Sequence, residues 1–186
     1  MHSFDSLAPR TRRRRFGAVA GLLAALLSAL PVAAAGAATS LEQIQSMWLQ
    51  GQQAQALQQL RVALQATPND PRLRFALASM QMETNHSDEA ERGLLSLTQD
   101  HPDLADPFNN LAVIRAARGD LTGARDALEQ ALRLQPDHAP ALENLGDVLV
   151  RLAVQHYERA QRFASGDKRV LTIKLNRSRA LAERAE

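Results

Sequence analysis

The amino-acid sequence predicts an all-α fold: a short solenoid of stacked helical hairpins, closed by C-terminal capping helices. Two observations predict it. Pro68, Pro102 and Pro136 stand 34 residues apart, and the same interval links Ala56, Ala90 and Ala124, then Leu60, Leu94 and Leu128, then Gly51, Asn85 and Gly119. Self-similarity at such a period means stacked supersecondary units that bury their surface against one another. Within each period the apolar residues also step by three or four, as in Leu73, Leu77, Met80 and again in Ala90, Leu94, Leu97. That is the spacing of one helix face. No strand signal competes with it.

The elements follow in order. Residues 1–38 read as an export segment. Arg10 and Arg12 to Arg15 precede an uncharged run, GAVAGLLAALLSAL, then Pro31 and small residues. That is the order of a secretory signal. Cleavage fits after Ala35 or Ala38, and Ala38 is favoured because the first repeat helix begins only at Thr39 or Ser40. Arg13-Arg14-Arg15-Phe16 also fits the twin-arginine pattern R-R-x-F. The competing reading is an uncleaved anchor, since residues 16–38 approach the roughly 20 residues that span hydrocarbon. Either way the remainder is expected in the periplasm of a bacterium.

Units are expected at about 37–70, 71–104, 105–138 and 139–164, with a basic helix over 165–186. Ser40 with Gln43 reads as a capping box. Asp70-Pro71 and Asp106-Pro107 read as a capping acceptor before a proline in the first turn. Asp120 and Ser87 are the expected caps of second helices. Gly51, Asn85 and Gly119 suit the left-handed backbone of a hairpin turn. The fourth unit lacks five residues where its turn should be, so one continuous helix is expected from about Pro140 to Ala164, the alternative being a tight turn near Ala153 and a short hairpin. Its apolar stripe is Leu142, Leu145, Leu149, Leu152, His156, Tyr157, Ala160 and Phe163. Gly166 stops that helix, and Asp167 caps a last one whose apolar face is Leu171, Leu175, Ser178 and Leu181.

Composition narrows the chemistry. The 186 residues contain no Cys, which excludes disulfides, thiol catalysis and cysteine-ligated zinc. Net charge is +2, but residues 39–150 hold 8 basic and 15 acidic side chains, net −7, whereas residues 151–186 hold 9 and 4, net +5. The part after residue 38 lacks the basic surface and stacking aromatics of a nucleic-acid binder. The histidines at 2, 86, 101, 138 and 156 show no metal-ligand spacing, with His156 placed in the core stripe. No nucleophile elbow or phosphate loop is present. No enzyme activity, cofactor, metal or small-molecule substrate is expected.

The residues Phe108, Leu111, Ala112, Gly119, Ala124, Leu128, Ala131 and Pro136 make the third unit resemble the tetratricopeptide repeat family, with Arg115 departing from a column usually aromatic. The resemblance implies that first helices line a concave surface holding a protein or peptide. Carried over, the groove positions are Trp48; Arg72, Phe75, Ser79, Met82 and Glu83; Asp106, Asn109, Val113, Ala116 and Ala117; and Glu143, Asp147, Val150 and Arg151. Asn109 is the favoured ligand contact, an amide to pair with a ligand backbone. The acidic Glu143 and Asp147 argue against capture of a C-terminal carboxylate. The function expected is that of a non-catalytic adaptor or scaffold of the cell envelope. The alternative is an assembly subunit anchored in the membrane through residues 16–38.

Overall fold

The computed structural model describes residues 39–183; the export segment expected over 1–38 lies outside the described residues. The helices are α1 (Leu41–Leu49), α2 (Gln53–Ala66), α3 (Pro71–Glu83), α4 (Ser87–Asp100), α5 (Ala105–Ala117), α6 (Leu121–Leu134), α7 (Ala139–Phe163) and α8 (Arg169–Ala182). The described residues contain no strand. Helices α1/α2, α3/α4 and α5/α6 pair as antiparallel hairpins, and each second helix packs on the first helix of the next unit.

The 34-residue period is written in the backbone. Gly51, Asn85 and Gly119 have φ of +80°, +61° and +82°. The residue after each closes the turn by donating to a carbonyl five residues back: Gln52 to Met47 at 3.0 Å, His86 to Gln81 at 2.8 Å and Asp120 to Arg115 at 3.0 Å. This closure satisfies helix-end carbonyls, and the left-handed residue makes it possible. Glycine adopts that φ without steric cost, and asparagine is the side-chain residue that tolerates it best.

The alanine and leucine columns form the core. Ala56, Ala90, Ala124, Leu60, Leu94 and Leu128 are all fully buried. Alanine lets paired helices approach, and each leucine contributes about 1.5–3 kcal/mol by leaving water. Ala78, Ala90, Leu94, Leu111 and Ile114 form the cluster that joins the second unit to the third.

The helix caps divide the sequence expectations. Ser40 and Gln43 form the capping box, with both reciprocal bonds present. Asp70 accepts from the N–H groups of Arg72 and Leu73. Partial burial pushes its carboxyl up, but these bonds and the Arg72 guanidinium outweigh that and hold it below its ordinary value. Asp120 caps α6 by accepting from Gly123 N–H. Two expected caps are corrected. Helix α5 starts at Ala105 after Leu104, with no side-chain cap, because Pro107 stands two residues later in its repeat than Pro71 does in its own. Helix α4 likewise starts at Ser87 after an uncapped His86. His138, in the column of Asp70 and Leu104, instead caps α7: its Nδ1 accepts from Ala141 N–H at 3.1 Å. That leaves Nε2 to donate to Asp106, 2.8 Å away.

The fourth unit is one 25-residue helix, so the missing turn straightens the hairpin. Its buried row is Ala141, Val148 and Leu152. The expected stripe is corrected accordingly, since Leu142, Leu149 and Phe163 are 51%, 48% and 78% exposed and His156 is exposed. After Gly166, at φ +83°, Asp167 accepts from Arg169 N–H. The Arg169 side chain and N–H hold its carboxyl below the usual range. Helix α8 folds back along the second half of α7 through Arg179 to Glu158 at 2.6 Å and Gln161 to Thr172 at 3.1 Å. Leu175 is its buried anchor, whereas Leu181, expected on the same face, is exposed.

Candidate peptide groove

The first helices of the hairpins present a row of side chains with two hollows. The larger, about 510 Å³, lies between α1 and α3 and is lined by Leu41, Gln45, Trp48, Leu49, Arg72, Phe75, Ala76, Ser79, Met80 and Glu83. The smaller, about 230 Å³, lies between α5 and α7, walled by Val113, Ala116, Ala117, Asn144, Asp147 and Arg151 among others. Helical spacing explains both linings, because residues separated by three or four positions share a face.

In the larger hollow, Trp48 is buried and its indole Nε1 donates to Glu83 Oε2 at 2.7 Å. The bond fixes the indole plane as an apolar wall and ties the first unit to the second. Phe75 is half-buried beside it. Arg72 is exposed, with its guanidinium 3.6 Å from Asp70. An apolar notch thus carries a cation at one place and a carboxylate at another.

The other expected groove residues part company. Ser79 lines the larger hollow and accepts from Asn110 Nδ2 at 3.2 Å. Met82 packs with Phe75 against the core between the second and third units and does not line the hollow. Val113 and Asp147 line the smaller hollow, as do Ala116, Ala117 and Arg151; Val150 and Glu143 line neither. Asp106 is engaged by His138. Glu143 and Asp147 make no ion pair among the described residues.

Asn109 is the main correction. It is only 7% exposed. Its Oδ1 accepts from Asn144 Nδ2 at 2.9 Å, and its Nδ2 donates to Asn110 Oδ1 at 3.3 Å. With the bond from Asn110 to Ser79, an amide relay crosses α7, α5 and α3. Asn109 is therefore committed between repeats and is not free for a ligand backbone. Replacing Asn144 by leucine should strand the Asn109 carbonyl oxygen and cost about 1–3 kcal/mol. Replacing both by leucine should recover much of that loss, as chemical denaturation of the two variants would show.

A family model described as tetratricopeptide repeat matches residues 47–109. Solved tetratricopeptide structures superpose on the chain. The first such domain of Spaghetti (RPAP3), bound to the HSP90 peptide SRMEEVD, gives a TM-score of 0.56 at 21% identity, covering 60% of this chain and 89% of its own. The family match covers about a third of the chain, and the described residues share the fold of these helical-hairpin solenoids. The crystal structure of MamA gives 0.55 at 20% identity, covering 76% of this chain and 87% of its own. Pseudomonas aeruginosa pilF gives 0.55 at 21%, covering 76% and 69%. No curated protein sequence matches the chain.

In this helical-hairpin framework the departure at Arg115 has a structural answer. Its guanidinium donates to the Gly123 carbonyl at 3.1 Å, clasping α5 to α6 where an aromatic ring would pack. Arg118 fastens the second unit to the third, pairing with Asp88 at 2.6 Å and with Glu91. Groove residues that the sequence reading omitted are Leu41, Gln45 and Leu49. The signal was available, since they stand one period before Phe75, Ser79 and Glu83.

Proposed function

We propose that the chain is a non-catalytic adaptor or scaffold of the bacterial envelope that holds an extended or helical segment of a partner protein along α1, α3, α5 and α7. The observation that carries this reading is the larger hollow. Trp48, Phe75 and Leu49 form an apolar wall flanked by Arg72 and Glu83. Such a surface takes a bulky apolar side chain and orients the polar backbone beside it. A likeness in fold supports it, in that the Spaghetti domain holds a peptide. Recognition here rests on different chemistry, because Glu143 and Asp147 repel a terminal carboxylate. Placement in the envelope is supported by the arginine-rich and apolar order of residues 10–38.

A photo-crosslinking residue at Gln45, in the hollow, should capture a protein partner in living cells. The same residue at exposed Gln58 on α2 should not. Leu49→Asp with Phe75→Ala should abolish the capture while circular dichroism stays unchanged; undiminished capture by that variant would count against the groove. N-terminal sequencing of the exported form separates a released adaptor beginning at Thr39 from an anchored subunit that keeps residues 16–38.

A further inference from the structure

We propose that the outward face of α8 is a docking surface for an anionic lipid membrane. Helix α8 turns Thr172, Leu175 and Arg179 to α7: Thr172 meets Gln161, Leu175 is buried, and Arg179 pairs with Glu158. Half a turn round the helix stand Val170, Ile173, Lys174, Arg177, Ala180 and Leu181, at the spacing of three and four that places residues on one face. All six are exposed. The large aliphatic side chains among them, Val170, Ile173 and Leu181, are 68%, 51% and 55% accessible.

The occupant follows from what shares that face. Lys174 and Arg177 stand among the aliphatic side chains and make no ion pair among the described residues. No acidic residue interrupts them. The nearest acids are turned elsewhere: Asp167 is held by Arg169, Glu158 by Arg179, and Glu183 lines a hollow between α7 and α8. A lipid headgroup layer takes both kinds of group at once. Its anionic phosphates meet Lys174 and Arg177, while the aliphatic tips enter the acyl boundary. The long basic side chains lay their stems along that apolar boundary and keep their charge at headgroup level. The face is also the crest of a single helix, a shape that rests on a layer and offers no cleft to a protruding side chain.

Charge over the whole chain sets the direction of approach. Residues 39–150 carry net −7 and residues 151–186 net +5. A negatively charged bilayer therefore attracts the α8 end and repels the repeats. The hollow between α1 and α3, at the other end of the array, stays in water.

Because the chain has no cysteine, Ala180→Cys admits one polarity-sensitive fluorophore on this face, and Gln58→Cys places the same fluorophore on exposed α2 as a control. In the full chain the label at position 180 should shift to the blue with phosphatidylglycerol vesicles and not with phosphatidylcholine vesicles. The label at position 58 should stay unchanged with both. Reading at position 180 keeps the response separate from any bilayer contact of residues 16–38. Lys174→Gln with Arg177→Gln should weaken the response roughly tenfold or more, with helicity retained, and rising salt should weaken it too. Leu149→Asp, on the exposed face of α7, should leave it intact. A label at position 180 that stays in water with phosphatidylglycerol vesicles overturns the proposal, including where an acidic protein is captured through Lys174 and Arg177. So does a shift of equal size in the Lys174 and Arg177 variant or with neutral vesicles, or a shift that Leu149→Asp abolishes.

Discussion

Leu94→Ala should destabilise the protein by about 3 kcal/mol, the usual range for a fully buried leucine being about 2–5 kcal/mol. Leu94 is fully buried in the cluster shared by the second and third units. Its loss therefore removes apolar contact and leaves a cavity at the middle of the array. A solenoid transmits stability only through neighbouring units, so this interface has no substitute elsewhere. The urea midpoint followed by circular dichroism should fall well below that of wild type. The adjacent Leu95, 37% exposed, provides the control, since Leu95→Ala should cost much less. Equal losses at the two positions would contradict the packing described.

Val154→Pro should cost about 3 kcal/mol or more. Residue 154 lies inside α7, where proline removes a backbone hydrogen bond and collides with the preceding turn. A hairpin turn at this place would accept the same change with little loss, so the variant separates the two arrangements. The damage should also be directional. Helix α8 is held by Glu158 and Gln161, both beyond the break. Limited proteolysis should therefore release a C-terminal fragment while the first three hairpins persist.

Much of this architecture was legible as periodicity. The columns of alanine, leucine and turn residues mark helix pairing directly, because each position has one steric demand that few residues meet. The shortened fourth unit was less plain, since five missing residues fit either one continuous helix or a tight turn near Ala153, and the structure has the single helix. Caps were less legible. Asp70 and Asp106 each precede a proline, yet only Asp70 stands in the capping column. His138 occupies that column, but a histidine carries no strong capping signal of its own. The stripe on α7 shows why apolarity does not dictate burial. Leu142 and Leu149 are as apolar as Leu152, and only the placement of neighbouring helices decides which row is covered. The candidate groove was read by repeat position with Asn109 foremost, whereas the structure divides it into two hollows and withdraws Asn109. Asn109 is drawn into a relay whose partners, Asn144 and Ser79, come from other repeats, and nothing in local sequence announces such a meeting. Leu41, Gln45 and Leu49 were missed for a simpler reason: their unit was not carried through the same register.

Polar ties between the repeats have a mechanical result. Trp48 with Glu83, Arg118 with Asp88, and Asn144 with Asn109 each bridge successive units by directional bonds. Apolar surfaces alone allow repeats to slide and the array to flex, whereas a bond of fixed length and angle penalises both. The superhelical curvature is therefore largely set before any ligand arrives. A bound segment meets a surface already shaped and spends little of its binding free energy on bending the spring.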